Sequence, residues 1–291
     1  MLAAFEVHED LSLNTFERID VFEAMAAAGL RLVFRPLKDS ALYVPAALGG
    51  TAGAIINARH PLPLQRYSGG HEYGHHVFGH GEQADRDTEP RGTGTPLSSE
   101  EKLAEAFAAW FLMPPETAEL AMERIGPNRP QTAQDAYALA LRLGTSFRAT
   151  CTHLPSLKLA SERTATEWRT TVLKTLKQEL SATAPPGGWQ HDIWVLNERD
   201  AQTDLVVRAG DRLLVTLPGW DIAALPAGVT AELLPAETLL SAPRWSLALA
   251  PDLDAGPAVI ELTDSSSTVR FSLVIERPRW GRYIARERAA R

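Results

Sequence analysis

Two histidines and a glutamate near residue 70 have the types and the spacing that metal-assisted hydrolysis requires. The chain reads H-E-x-x-H from His71 to His75, with Glu72 between the histidines. On a helix, residues i and i+4 lie on one face, one turn apart. Both imidazoles can then bind one zinc ion, while Glu72 can accept a proton from a water beside it. The alternatives are a chance match and a pair of surface histidines, so the surrounding residues have to decide.

A third ligand can come from the stretch 98–114. This stretch is apolar apart from its first turn, and prolines end it, so it predicts a helix. Glu101 and Glu105 lie one turn apart on a face of small and apolar residues, where an acid is costly to bury without a positive partner. Zinc would be such a partner. The local alternative is a capping box between Ser98 and Glu101, or complementarity with the helix dipole.

The rest of the N-terminal part predicts an α+β, zincin-like fold that is mostly helical. Short β-like runs at 32–34, 42–44 and 54–56 predict a small sheet beside the zinc helix, which we expect over 63–78. Residues 83–96 are polar and turn-rich and predict a loop. Further helices are expected at 116–125, 132–143, 145–153 and 161–180.

Composition limits the class of protein. The chain has 291 residues, a net charge of −7 and one cysteine, Cys151. The length favours two domains, and the charge argues against direct nucleic-acid binding, which normally uses a basic face. A single cysteine suits a reducing compartment. No apolar run is long enough for a membrane span, and acids interrupt residues 1–10. We therefore expect a cytoplasmic protein without a membrane partner.

The predicted domain boundary lies at the Pro-Pro-Gly-Gly run 185–188. Beyond it the apolar pattern changes to period two, in short runs separated by turn residues, which predicts an all-β immunoglobulin-like sandwich. The predicted domains are therefore 1–184 and 189–291. Six arginines against two acids in 276–291 read as a solvated face, with anion or partner binding as the alternative.

Residues 15–160 resemble the ImmA/IrrE family of metallo-endopeptidases. The motifs that carry the likeness are Ile19-Asp20-Val21-Phe22, Ile55-Ile56-Asn57, Gln65 to His75, Glu101-x-x-Ala104-x-x-Phe107-Ala108 with Leu112-Met113-Pro114, and Leu143 to Thr150.

The resemblance implies a gluzincin-like site, in which His71, His75 and Glu101 hold Zn2+ and Glu72 is the catalytic base. Glu105 stands where the family often has asparagine, so it is either a partner of a zinc ligand or an alternative ligand. The resemblance further implies a protein substrate, a helix-turn-helix (Xre-type) transcriptional repressor, in a stress or phage response.

The C-terminal part is similar, more weakly, to chagasin-type immunoglobulin-like inhibitors. The likeness rests on the stretch 210–218 and on Arg277-Pro278-Arg279-Trp280. An extra residue splits Pro278 from Trp280, and no Thr-Gly-Tyr loop follows Pro218. The resemblance implies the sandwich and not the inhibitory activity.

Two further functions stay open at this stage. The N-terminal domain could sequester a repressor without cleaving it, with a structural zinc, or the β-domain could inhibit a protease. For the peptidase, Tyr43, Tyr67 and His153 are the candidates to stabilise the oxyanion. We expect 189–291 to sense a signal or to recruit the partner, without taking part in the chemistry.

Overall fold

The computed structural model describes residues 1–46, 50–81, 83–85, 98–234 and 245–283, with the backbone alone at 83–85. The chain forms two compact units. The first unit consists of Met1–Leu120, Leu143–Arg169 and the described residues of Pro278–Arg291, and the second of Ala121–Arg142 and Thr170–Arg277. The arginines of the C-terminal run beyond residue 283 lie outside the described residues.

The helices and strands follow one another along the described chain. The helices are α1 Leu2–Asp10, α2 Val21–Ala27, α3 Leu62–Val77, α4 Ser99–Leu112, α5 Pro115–Ile125, α6 Ala133–Leu143, α7 Phe147–His153, α8 Glu162–Arg169 and α9 Leu173–Leu180, with a 3-10 turn at Glu198–Gln202. The strands are β1 Arg31–Arg35, β2 Ala41–Val44, β3 Gly53–Asn57, β4 Gln83–Asp85, β5 Ile193–Leu196, β6 Leu205–Arg208, β7 Arg212–Val215, β8 Asp221–Ala224, β9 Val229–Leu233, β10 Trp245–Leu249, β11 Gly256–Thr263, β12 Thr268–Glu276 and β13 Gly281–Arg282. Within the described ranges, none of these helices has the length and the apolarity to cross a bilayer.

The first unit contains the predicted small sheet, with two strands that the sequence did not indicate. Its order over the described residues is β13-β1-β3-β2-β4. The pair β1–β3 is parallel, and the remaining pairs are antiparallel. The strand β4 lies inside the predicted loop 83–96, and β13 is contributed by the far end of the chain. The α+β character predicted for the N-terminal part is confirmed.

Close packing between α3 and α4 sets the position of the predicted metal-binding residues. A Cβ atom on Gly74 would lie 2.9 Å from the Cα atom of Ala104, and one on Gly70 would lie 3.3 Å from the Cβ atom of Ala108. Glycine at these two positions lets the helix backbones approach each other along the small-residue face of α4. The start of α4, with Glu101, therefore lies against the second half of α3.

The second unit is rich in β-structure. Within the described residues, its two four-stranded sheets are β5-β7-β10-β9 and β6-β12-β11-β8. Side chains from both sheets form one core, in which Trp194, Leu213, Leu247, Ile260 and Phe271 are buried. Each sheet contains one parallel pair, β5–β7 and β6–β12. The β-rich character is as predicted, whereas this strand order does not establish the immunoglobulin-like topology.

A buried polar network joins two helices of the second unit to its sheets. The Nζ atom of Lys177, on α9, lies 2.9 Å from Oδ1 of Asp192, and Nη2 of Arg208 lies 2.5 Å from Oδ2. The hydroxyl of Tyr137, on α6, donates to the same carboxylate at 2.9 Å. These two positive groups hold the pKa of Asp192 below its usual value, against the effect of burial. Through these bonds to Asp192, α6 and α9 pack against the start of β5.

The compact units differ from the predicted domains 1–184 and 189–291 in two places. The helices α6 and α9 lie before the predicted boundary, yet they belong with the sheets of the second unit because Tyr137 and Lys177 are bound there. The segment 278–283 lies after the boundary, yet it belongs to the first unit because β13 pairs with β1. Local sequence patterns do not carry such long-range pairings.

The segment 278–283 is also bound to the first unit by side chains. The backbone N–H of Arg279 donates to Oε1 of Gln65, on α3, at 3.0 Å. The guanidinium of Arg279 lies over the ring of Phe22 at 5.2 Å. The hydroxyl of Tyr283 donates to Glu23 at 2.8 Å. The end of the described chain therefore contacts the first turn of the helix that carries H-E-x-x-H.

Candidate metal centre

The helix α3 brings the two histidines of the H-E-x-x-H motif together. His71 and His75 are 3% and 0% exposed, so they are not surface histidines. Their Nε2 atoms lie 3.0 Å apart. Two neutral imidazoles with their Nε2 atoms at this distance can share only one hydrogen between them, whereas a cation between the two nitrogens satisfies both lone pairs.

Glu101 of α4 completes a three-residue cluster. One of its carboxylate oxygens lies 3.1 Å from Nε2 of His71, and the other lies 3.5 Å from Nε2 of His75. The backbone N–H of Glu101 donates to Oγ of Ser98, the residue that caps α4. Capping of the helix therefore accounts for the backbone of Glu101, while its side chain contacts the histidines.

The spacing of the three ligand atoms fits a tetrahedral metal ion. Zinc binds histidine nitrogen and carboxylate oxygen at about 2.0–2.2 Å, which places two tetrahedral ligands roughly 3.3 Å apart. The separations within the cluster are 3.0, 3.1 and 3.5 Å. Among the described residues, this is the group of histidine, cysteine and acidic side chains that could hold a metal ion. The ligands therefore fit zinc in both type and distance.

The electrostatics of the cluster favour the protonation states that bind a cation. Burial, followed by the charge of His71, lowers the pKa of His75 to about 4, although Glu101 opposes this shift. The hydrogen bond with His71 is the main cause that lowers the pKa of Glu101. At neutral pH, His75 is therefore neutral and Glu101 is a carboxylate.

Glu105 lies one turn beyond Glu101 and outside the three-residue cluster. The pKa of Glu105 is raised above its usual value, mainly by burial. The charge of His71 opposes this rise and the charge of Glu101 adds to it. Glu105 is thus close enough to influence both residues, as expected for a residue near a metal ligand. Its role as a partner or an alternative ligand stays a prediction.

Glu72, the predicted base, is completely buried on α3. It follows His71 directly in the chain, so its side chain leaves the helix about 100° further round the axis. Of the three oxyanion candidates, His153 is not part of the His-His-Glu cluster. Tyr43 contacts Nδ1 of His76 through its hydroxyl at 3.1 Å, and Tyr67 is buried on α3.

His153 packs with its ring edge against Trp110, with the ring centroids 4.7 Å apart. Its Nε2 atom has no hydrogen-bond partner within the described residues. Burial is the main cause that lowers the pKa of His153 to about 4. This is the environment of a neutral histidine in a hydrophobic core.

Replacing His153 with glutamine should flatten the pH dependence of stability in acid. The unfolded chain binds a proton at His153 near pH 6.5, whereas the folded protein does so only near pH 4. Stability is therefore lost as the pH falls from 6.5 to 4, by on the order of 3 kcal/mol for this residue. Urea unfolding at pH 4.5 and pH 7 measures the difference. An unchanged difference in the variant would contradict the assignment.

A further histidine, His80, contacts the cluster, and the sequence analysis did not single it out. Its Nδ1 atom lies 2.8 Å from Nδ1 of His75. The available signal was a histidine just beyond the predicted end of the helix, after a glycine. The sequence alone does not show that the chain turns at the end of the helix so that His80 lies beside His75.

Comparison with known proteins identifies the segment that carries this cluster. Residues 25–154 match the Peptidase_M78 family, described as the IrrE N-terminal-like domain. A search of curated proteins found no match for the chain. The matched residues end before 210–218 and 277–280, so they do not bear on the resemblance to chagasin-type inhibitors. Residues 25–154, which include α3, α4 and the His-His-Glu cluster, are therefore similar to a peptidase domain of the ImmA/IrrE type.

Proposed function

We propose that this chain is a zinc-dependent endopeptidase of the gluzincin type that cleaves a protein partner. The observation that carries the proposal is the triangle of ligand atoms from His71, His75 and Glu101, with sides of 3.0 to 3.5 Å. Two histidines of an H-E-x-x-H helix and a glutamate from a second helix are a donor set suited to catalytic zinc.

The residues of the site have distinct roles in this proposal. The cluster of His71, His75 and Glu101 holds the ion, and a bound zinc would make water nucleophilic at neutral pH and polarise the scissile carbonyl. Glu72 accepts the proton of the attacking water and delivers it to the leaving amine. Burial around the cluster keeps the ligands fixed and strengthens each electrostatic interaction.

The proposed substrate is a helix-turn-helix (Xre-type) repressor, in a stress or phage response in the cytoplasm. The family-like motifs in residues 15–160 and the family match at 25–154 support this choice. All four proposed site residues lie in the first unit. We therefore propose that the β-rich residues 189–277 recruit the partner or sense a signal and take no part in the chemistry.

Incubation of the full chain with the repressor encoded beside its gene tests the proposal. The purified protein should contain one zinc per chain and cleave the repressor, and a chelator should stop cleavage until zinc is restored. The double variant His71→Ala/His75→Ala should lose both metal and activity. If Glu101→Ala keeps the metal and Glu105→Ala loses it, the two glutamates exchange roles.

Two results, one from this incubation and one from hydrogen exchange, would contradict parts of the proposal. Cleavage that persists in the metal-free protein would exclude zinc as the catalytic group. Hydrogen exchange of the complex tests recruitment, which we expect to appear as repressor-dependent protection in 189–277. Protection confined to the first unit would show that the first unit alone binds the partner.

A further inference from the structure

The end of α3 places His80 directly beyond His75. Phe78 caps the helix, and Gly79 follows with φ +65°, a backbone conformation that favours glycine. The N–H of His80 donates to the carbonyl of His75 at 2.9 Å, and the N–H of Gly79 donates to that of His76 at 3.1 Å. This pair of hydrogen bonds is a Schellman motif, which fixes the chain direction after the helix.

The two side chains meet through their Nδ1 atoms. Nδ1 of His75 lies 2.8 Å from Nδ1 of His80, and the ring centroids are 5.0 Å apart. The opposite nitrogen of His75, Nε2, faces His71 and Glu101. If Nε2 of His75 gives its lone pair to a metal ion, the ring hydrogen lies on Nδ1 and is donated to His80.

We propose that His80 is a positioning residue for the metal centre, which fixes the tautomer and the ring orientation of His75. This inference rests on the proposed zinc site. His80 accepts the Nδ1 hydrogen of His75 on its own Nδ1 and carries its own hydrogen on Nε2. Hydrogen bonds of this kind orient metal-binding histidines and raise the basicity of the ligand nitrogen.

The geometry assigns this role to His80 and not that of a fourth ligand. The Nδ1 atom of His80 contacts the side of the His75 ring that is remote from the other two ligands. His80 is not a member of the His-His-Glu cluster. Within the described residues, Nδ1 of His71 has no hydrogen-bond partner, so of the two histidine ligands only His75 is held in this way.

Zinc affinity of the full chain tests the role of His80, by competition with a chromogenic chelator. His80→Ala should weaken zinc binding by about 10–100-fold. His80→Asn should stay within about threefold of the unsubstituted protein, because its Oδ1 occupies the position of the lost Nδ1 and accepts the hydrogen. His76→Ala is the matched control: the Nδ1 of His76 contacts Tyr43 and not the cluster, so its affinity should also stay within about threefold.

A second readout is the rate at which the Nδ1 hydrogen of His75 exchanges with solvent. In 15N-histidine spectra of the zinc-loaded protein, the Nδ1–H of His75 should exchange slowly in the unsubstituted protein and in His80→Asn. It should exchange rapidly in His80→Ala. Zinc affinity and Nδ1–H exchange that are unchanged in His80→Ala would overturn the inference. Equal loss of zinc in the alanine and asparagine variants would also overturn it, because it would make the His80 imidazole a ligand.

The same measurement of zinc affinity distinguishes a failure of this inference from a failure of the proposed function. An unsubstituted chain that binds zinc tightly, together with an unaffected His80→Ala protein, removes only the role of His80. An unsubstituted chain that binds no zinc overturns both. Thermal unfolding of the metal-free variants is the check on folding, and we expect His80→Ala and His80→Asn to unfold at similar temperatures.

Discussion

Replacing Glu72 with glutamine should lower the rate at which the proposed repressor substrate is cleaved by about 10²–10⁴-fold, the usual contribution of a positioned general base. The neutral amide has nearly the same shape as the carboxylate but cannot accept the proton of the attacking water. Glu72 is not among the three clustered ligands, so zinc content should stay at one per chain. Single-turnover cleavage with excess enzyme gives the rate, and metal analysis gives the occupancy.

The exposed Glu100, which precedes Glu101 on α4, provides the matched control. Glu100→Gln removes one negative charge from the same region and should cleave at the unsubstituted rate. Repressor binding by the Glu72→Gln protein separates cleavage from sequestration. If the zinc-loaded unsubstituted chain binds the repressor and does not cleave it, the binding-module function replaces the peptidase. Full activity in Glu72→Gln would remove Glu72 as the base.

A cut in the linker 182–188 should leave a chain whose two pieces stay together. The piece after the cut carries Asp192, while the piece before it carries Lys177 and Tyr137, which bind that buried carboxylate. The later piece also carries β13, which pairs with β1 of the earlier piece. Separation would remove the carboxylate of Asp192 from the buried ammonium of Lys177 and leave Arg208 as the charged partner of Asp192. Breaking a buried ion pair in this way is strongly destabilising.

A recognition sequence for a site-specific protease, inserted between Thr183 and Pro185, allows the linker to be cut in the folded protein. After cleavage, size-exclusion chromatography should show one species of the full mass, which splits only in denaturant. Lys177→Met within the cut chain should lower the denaturant concentration at which the pieces separate. Two pieces that part in native buffer and each unfold cooperatively would restore the predicted domains 1–184 and 189–291 as independent units.

The proximity of the two histidines was easier to predict than the architecture, because it depends on a short periodic pattern. The spacing of His71 and His75 predicted that both lie on one helix face, and the structure brings them together with Glu101. The residue pattern left Glu101 and Glu105 both open as the acid, and the family resemblance favoured Glu101. The glycines of α3, which lower its helix propensity, are explained by its close contact with α4. The helix expected over 161–180 is instead two helices, and the β-branched run 170–172, which has low helix propensity, separates them.

The remaining features required information that single segments do not contain. The residues of β13, Gly281 and Arg282, have no strand signature, and their partner β1 lies about 250 residues earlier in the chain. Similarly, nothing local to Lys177 indicates that it binds Asp192 across the predicted linker.

The attachment of β13 to β1 has a consequence for the order in which the protein is synthesised. Residues 278–283 leave the ribosome only after the whole of Thr170–Arg277 has been made. At about 5–20 residues per second, this delay is roughly 5–20 s, during which the edge of β1 has no strand beside it. The contact of Arg279 with Gln65, at the start of the helix that carries the H-E-x-x-H motif, forms after the same delay. The first unit therefore gains β13 only after the second unit has been synthesised, so a nascent chain that stalls before residue 278 lacks this strand.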